Sequence, residues 1–227
     1  MVRARKLFQR TPKIAPRRRR APELARTELL DAAERVFAEF QPDQVGLKEI
    51  AGEAGVSHAL VTHYFGTYAG LVEATLERRV RALRAELLGR VREVGALAQP
   101  ARLLAILFQA LTDPVHLRLM RWLLASERPS ANQALALQDQ GLQLIAFEVG
   151  KALLGPDPPR AKIVAIEDAL LTAVSAAYGY AIGKYALATA LGRPVDHALD
   201  VTVQHTLAQM IQAHLREVLG VEMPHAR

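Results

Sequence analysis

Apolar residues return at three- and four-residue steps along much of this chain, the spacing of one face of an α-helix. From Arg26 they are Leu29, Leu30, Ala33, Val36, Phe37 and Phe40, and Pro42 stops the run, so the spacing predicts an amphipathic first helix over 26–40. A short second helix is predicted from Leu47 to Ala54, broken by Gly55, and Ser57 is placed to cap a third that runs to about Phe65. From Leu71 a longer helix carries Leu76, Val80, Leu83, Leu87, Val91 and Val94 before Pro100 ends it. Further helices are predicted over 101–111, 115–126, 130–154, 160–191 and 196–219, parted by Asp113-Pro114, by Pro129, by the GPDPP run that starts at Gly155, and by Gly192-Arg193-Pro194. No internal repeat emerges.

The second and third helices carry a more specific pattern. Two helices that cross steeply need a small residue at the crossing and, in the turn, a residue that tolerates a left-handed backbone. Ala51 and Gly55 fill those places, while Ile50, Ala54, Val56, Val61 and Tyr64 are spaced to form a small core between the helices. Each agreement is ordinary by itself. The seven together, behind an amphipathic first helix, specify a helix-turn-helix rather than three helices that merely pack.

The run LLDAAERVFAEF followed by LKEIAGEAGVSHALVTHYF resembles, in order and spacing, the first helix and helix-turn-helix of the tetracycline-repressor (TetR) family, over residues 26–76. The resemblance implies an all-α protein, with a basic arm over 1–21, a three-helix DNA-binding domain over 22–70 and a larger helical ligand-binding and dimerisation domain over 71–227. It implies a transcription regulator: a ligand-responsive repressor that binds a palindrome-like double-stranded DNA operator as a homodimer and answers a small-molecule effector. Past residue 76 the likeness is one of length and helical layout, and it points to no particular effector.

In that family the recognition helix corresponds to Ser57 through Tyr64, and its N-terminal half enters the major groove, where each base pair presents its own donors and acceptors. The resemblance makes His58, Ala59, Thr62 and His63 the base-edge candidates. Lys48 and Tyr64 match positions that touch the DNA backbone in the family, and helix N-termini favour phosphate in any case; solvated surface or core is the plainer reading of both. Two residues depart from the family's pattern. Thr62 stands where Tyr is common, shorter but with a hydroxyl and a methyl suited to thymine. Tyr68 stands where Lys is common, in a helix start that reads Thr67-Tyr68-Ala69, so one charged phosphate contact is expected to be lost.

Composition agrees with a folded helical protein: 51% of the 227 residues are hydrophobic and only 5% aromatic, enough for a real core with little to build a sheet. The net charge of +6 is unevenly placed. Residues 1–21 hold nine of the 29 basic residues and no acid, leaving 20 basic against 23 acidic in the rest. With Pro12, Pro16 and Pro22 interrupting it and little apolar surface to bury, the arm is expected to be disordered in isolation. Its Arg17, Arg18, Arg19 and Arg20 are candidates to follow phosphates or enter the minor groove, with a solubilising tail as the alternative. An Arg-rich, acid-free start also fits an organelle transit peptide, although the remainder reads as bacterial. It lacks the apolar run of a secretory signal, and no later segment offers eighteen uninterrupted apolar residues, so a cytoplasmic protein without membrane spans is expected.

Other chemistry is sparse. Cysteine is absent, the seven histidines form no metal-spaced cluster and no Gly-rich loop follows a strand, so neither catalytic residues, metal nor cofactor is expected. Asp196, His197 and Asp200 share a helical neighbourhood and read as a solvated helix start. Phe108, Met120, Trp122, Phe147 and Tyr178 are candidates to line an apolar effector cavity between helices, and each also fits plain core. The small residues Ala173, Ala176, Ala177, Gly179 and Gly183, and the stripe Leu199, Val203, Leu207, Met210 and Ile211, suggest a dimer seam, though the stripe would also suit a monomer core. A DNA-organising protein with the same motif and arm, but no effector, is the alternative function.

Overall fold

The periodic runs fold as helices, and their ends are set by residues other than the apolar ones. The computed structural model describes residues 22–93, 100–126 and 141–220, and among them the elements are α1 (Pro22–Glu39), α2 (Leu47–Glu53), α3 (His58–Phe65), α4 (Tyr68–Val91), α5 (Pro100–Leu111), α6 (Pro114–Ala125), α7 (Gly141–Leu154), α8 (Arg160–Ala190) and α9 (His197–Leu219). Helix α1 begins four residues before the predicted start, because Pro22 suits a first helical position, where its missing N–H is no loss, and Glu23 adds a favourable negative charge. Helix α4 begins three residues early, since the Thr67 hydroxyl accepts the Gly70 N–H at 3.0 Å. The basic arm with Arg17–Arg20, the 94–99 end of the long predicted helix and the 130–140 part of the predicted 130–154 helix lie outside the described residues.

Among the described residues two apolar cores form. The first joins Leu29, Leu30, Ala33 and Phe37 of α1 to Ile50 and Ala51 of α2, Val61 of α3, and Leu71, Val72 and Leu76 of α4, and it is completed by Leu119, Met120 and Leu123 of α6. The second packs α4, α5, α7, α8 and α9 around Phe108, Ala146, Ile166, Ala173 and Ala177. Tyr178 of α8 touches both. The division we expect between residues 70 and 71 therefore falls inside α4, and the first core draws on helices from both sides of it.

Polar ties run across the same junction. Arg78 of α4 reaches Asp31 at 2.6 Å and Glu34 at 2.7 Å on α1. Arg79 pairs with Glu34 at 3.3 Å and with Asp113, which also caps α6 by accepting the His116 N–H at 2.9 Å. From α6, Arg118 Nη1 donates to the carbonyls of Phe37 (2.8 Å) and Ala38 (2.6 Å). Those are among the last carbonyls of α1, which a helix cannot satisfy internally.

On the far side, Gly150 lets α7 approach α8: a Cβ there would stand 2.3 Å from Ile163 Cδ1. The small residues of α8 serve this protomer's own packing. Ala173 and Ala177 are buried and Ala176 packs half-buried against the same core, whereas Gly179 faces open space and a Cβ at Gly183 would meet Leu187 of the same helix. Leu199 and Leu207 are likewise buried, with Val203 and Ile211 packed against the core, so Met210 alone of that stripe points outward. The outward apolar face consists instead of residues such as Leu171, Ile182, Tyr185 and Val201. Asp196 caps α9 through the Leu199 N–H at 2.8 Å, and Asp200 accepts from the Tyr180 hydroxyl at 2.6 Å and Lys184 at 3.2 Å, which binds α9 to α8. By length and composition alone α8 could cross a membrane, a property that core helices share; one side of it packs on α5, α7 and α9.

His116 is the buried polar link between the two cores. It is 2% exposed, its Nε2 lies 2.6 Å from the Tyr178 hydroxyl, and the two rings stack at 5.8 Å. Burial and then the Arg79 charge, opposed by Asp113, push its pKa down to about 4. The folded protein therefore keeps His116 neutral while the unfolded chain takes up a proton near pH 6.5. Stability should fall as pH drops from about 6.5 to 4, with roughly 2 kcal/mol lost by pH 5 through this residue. Urea unfolding at pH 7 and pH 5 is expected to show that loss in the wild type and not in His116→Asn; equal losses would place the titration elsewhere.

Candidate nucleic-acid interface

The exposed surface of α2 and α3 is held in place from beneath. Helix α2 opens at Gly46, whose N–H is accepted by the Glu49 carboxylate at 2.9 Å, and the backbone N–H groups of Glu49 and Gly46 hold that carboxyl below the ordinary glutamate range. Ile50 and Ala51 face inward at 0% and 3% exposure, which leaves Lys48 at the first turn facing solvent. The turn then closes on Gly55 at φ 64°, and the Val56 N–H returns to the Ala51 carbonyl at 2.9 Å. Glycine, lacking a Cβ, adopts that left-handed backbone without strain.

Helix α3 starts at Ser57, whose hydroxyl accepts the Leu60 N–H at 3.3 Å. Its single fully buried side chain is Val61. On its outer side Ser57, His58, Ala59 and His63 are exposed together with Lys48 of α2. Thr62 is half-buried, and its hydroxyl donates to the His58 carbonyl at 3.2 Å, leaving its lone pairs available to an incoming donor. Tyr64 packs against the first core and meets the His63 ring edge-on at 5.4 Å, so its side chain is partly structural.

Tyr68 has a structural task where a phosphate-binding lysine is common. Its hydroxyl donates to the Pro42 carbonyl at 2.5 Å, and its ring meets Trp122 of α6 edge-on at 5.5 Å and Phe37 at 6.4 Å. Burial, then the negative charges of Asp43 and Glu49, push its hydroxyl pKa further up. Arg26, which apolar spacing does not single out, is an exposed residue of α1 whose guanidinium lies 5.4 Å from the Phe65 ring at the end of α3. Its signal was its place at the head of α1, one turn before Leu29 and Leu30.

The five effector candidates are not gathered in one place. A cavity of about 250 Å³ among α4, α5, α6, α7 and α8 is lined by Met120 and Tyr178, together with Leu76, Val80, Leu107 and Val174. Phe108 is buried beside Tyr180 at 6.4 Å and borders a separate polar groove, Trp122 packs on Tyr68, and Phe147 is 42% exposed beneath Lys151. The apolar spacing of each helix marked these side chains as inward, but not which neighbour each meets. Among the described residues no group of three His, Asp or Glu side chains could hold a metal ion.

This arrangement has counterparts of known family. The sequence model for bacterial regulatory proteins of the tetR family matches residues 29–75. An uncharacterised HTH-type transcriptional regulator of Mycobacterium tuberculosis strain H37Rv is 30% identical over 145 residues, which span 62% of this chain and 68% of the relative. The chain belongs to the TetR family. Membership in the TetR family makes it a DNA-binding transcriptional regulator rather than an enzyme. The HTH-type regulator BetI of Cronobacter sakazakii is 35% identical over 83 residues, 37% of this chain and 41% of that protein. A TetR-family regulator from Streptomyces coelicolor superposes with a TM-score of 0.58 at 26% identity, covering 89% of this chain and 91% of that one. A TetR regulator from Rhodococcus sp. RHA1 shares the fold at a TM-score of 0.58 and 14% identity, with 86% and 98% covered. The all-helical architecture is thus that of the TetR family along most of the chain, beyond the matched helix-turn-helix.

The Tyr68 contact gives this family member an internal reporter, because Trp122 is its single tryptophan. Tyr68→Phe should cost about 1 kcal/mol by leaving the Pro42 carbonyl without its donor. Tyr68→Lys should cost more and shift Trp122 emission to the red as water reaches the indole. Urea unfolding followed by fluorescence checks both; full stability and unchanged emission in Tyr68→Lys would mean that the contact carries no weight.

Proposed function

We propose that this regulator is a ligand-responsive repressor that acts in the cytoplasm as a homodimer on a palindrome-like operator. The observation that carries the ligand-responsive part is double membership: Leu76 of α4 and Met120 of α6 belong to the core on which α2 and α3 rest, and both also line the 250 Å³ cavity. A molecule that fills the cavity presses on side chains against which the DNA-reading helices are seated. Such a ligand shifts DNA affinity only as far as it prefers the protomer shape that DNA disfavours, and a coupling of about 1 to 3 kcal/mol is typical. A DNA-organising protein without an effector would have no use for a cavity on this wall.

Within this reading, His58, Ala59, Thr62 and His63 read base edges, Ser57 sets the helix end against DNA, and Lys48, Tyr64 and Arg26 meet phosphates. Arg17, Arg18, Arg19 and Arg20 add affinity through charge. The apolar face left outward on α8 and α9 by Leu171, Ile182, Tyr185 and Val201 is what a second copy would cover, and it supports the homodimer. Dimerisation would set two recognition helices about one DNA turn, roughly 34 to 36 Å, or somewhat more apart.

Once a preferred site has been selected from random DNA, titrations at several salt concentrations test these roles. Lys48→Ala should weaken all sequences alike and lower the salt slope by about one unit. His63→Ala and Thr62→Ala should instead cost about 1 to 3 kcal/mol on the preferred site and relax choice at one or two base pairs. Unchanged sequence preference in both variants would overturn the assignment of base reading to α3.

A further inference from the structure

The chemistry of the cavity wall is uniform except at one point. On α4, Leu76, Val80, Leu83 and Leu87 face it at helical spacing, and Arg84 stands among them on the same side. Among the described lining residues the one aromatic ring is that of Tyr178, which is stacked on His116 with its hydroxyl already engaged there. The remaining described lining side chains are apolar or absent, apart from Arg84, which is the one charged group among them. This surface offers a flexible hydrocarbon chain continuous contact, and it offers a flat aromatic ligand no free ring to stack on.

Among the described residues Arg84 differs from its neighbours in having no counter-ion. Arg78, Arg79, Arg81 and Arg90 of the same helix each lie within ion-pair distance of a carboxylate. Arg84, half-buried at the cavity, has no carboxylate partner among the described residues. A guanidinium partly withdrawn from water and left unpaired is costly, and a planar carboxylate answers it with two parallel charge-assisted hydrogen bonds. A cavity of about 250 Å³ lies just below the roughly 300–1,000 Å³ usual for drug-sized ligands, which favours a chain of medium length.

We propose that the cavity binds a medium-length aliphatic carboxylate, its chain among the α4, α5, α7 and α8 side chains and its carboxylate on Arg84; this identification rests on the reading of the cavity as the effector site. The charge sets the class. An alkylammonium of equal length meets repulsion at Arg84, and the methyl ester keeps the chain but loses the charge that the guanidinium recognises.

Calorimetric titration of the purified full chain with octanoate, methyl octanoate and octylammonium tests the proposal without any variant. Octanoate is expected to bind at least tenfold more tightly than either of the others. Arg84→Gln, which removes no ion pair among the described residues, should lose that preference while binding methyl octanoate as the wild type does, and Arg84→Lys should recover part of it. Equal binding of octanoate and its ester, failure of octanoate to bind, or full octanoate affinity in Arg84→Gln would each overturn the proposal. Operator titration with and without octanoate is read separately. Arg84-dependent binding that leaves operator affinity unchanged upholds the ligand class and contradicts the ligand-responsive reading; operator release by uncharged or cationic ligands alone upholds that reading and overturns the carboxylate.

Discussion

The DNA-reading helices depend on a wall that they do not themselves supply. Helix α3 is eight residues long and buries one side chain completely, so in isolation it would be too short to persist. Its position is set by Ile50 and Ala51 beneath the crossing, by Leu71, Val72 and Leu76 of α4, and by Leu119 and Leu123 of α6 behind α1 and α4. Leu76, Leu119 and Leu123 are each fully buried, and each such side chain stabilises by about 1.5 to 3 kcal/mol. A displacement of α6 or of the middle of α4 is therefore felt by α1 and α2, and through them by α3.

Charge and hydrogen bonding give that wall its register. The pairs from Arg78 and Arg79 to Glu34 and Asp31 are partly exposed, and each alone contributes little. They act together because Glu34 serves two arginines, and because Asp113 both receives Arg79 and caps α6. Arg118 adds a tie of another kind, since it satisfies two carbonyls at the end of α1 that water would otherwise have to reach. Tyr68, Trp122, His116 and Tyr178 extend the same junction from the Pro42 loop to α8.

Much of this was legible in the sequence, for reasons that also explain what was not. Spacing of apolar residues located the helices, and the joint requirement for Ala51, Gly55 and Val61 identified the helix-turn-helix, because local backbone geometry restricts those positions severely. Helix starts at Pro22 and Tyr68 were missed since capping, rather than apolar spacing, decides them. Periodicity places Phe108, Trp122 and Phe147 on helical faces without saying which neighbouring helix each face meets, and of the five candidates Met120 and Tyr178 line the cavity. For the same reason the small residues of α8 suit a seam between protomers as well as a core, and Ala173 and Ala177 lie in the core of one protomer. Arg84 escaped notice because a charge inside an apolar stripe looks like solvated surface until the helices around it are in place. The sequence shows Tyr at position 68 where Lys is common in the family, but not that its ring packs on Trp122.

The central claim is that the cavity and the recognition helix share one mechanical support, and a covalent substitute for a ligand tests it most directly. Val80 lines the cavity between Leu76 and Leu87 on α4, and Val80→Phe would fill part of the space without touching the DNA-facing residues. Operator affinity should be measured for this variant in the absence of any small molecule, alongside its melting temperature. The account predicts a folded protein whose operator affinity is reduced by roughly 5-fold or more, the lower end of ordinary allosteric coupling. A variant that is folded, shows the cavity filled by a raised melting temperature, and binds operator as tightly as the wild type would contradict it.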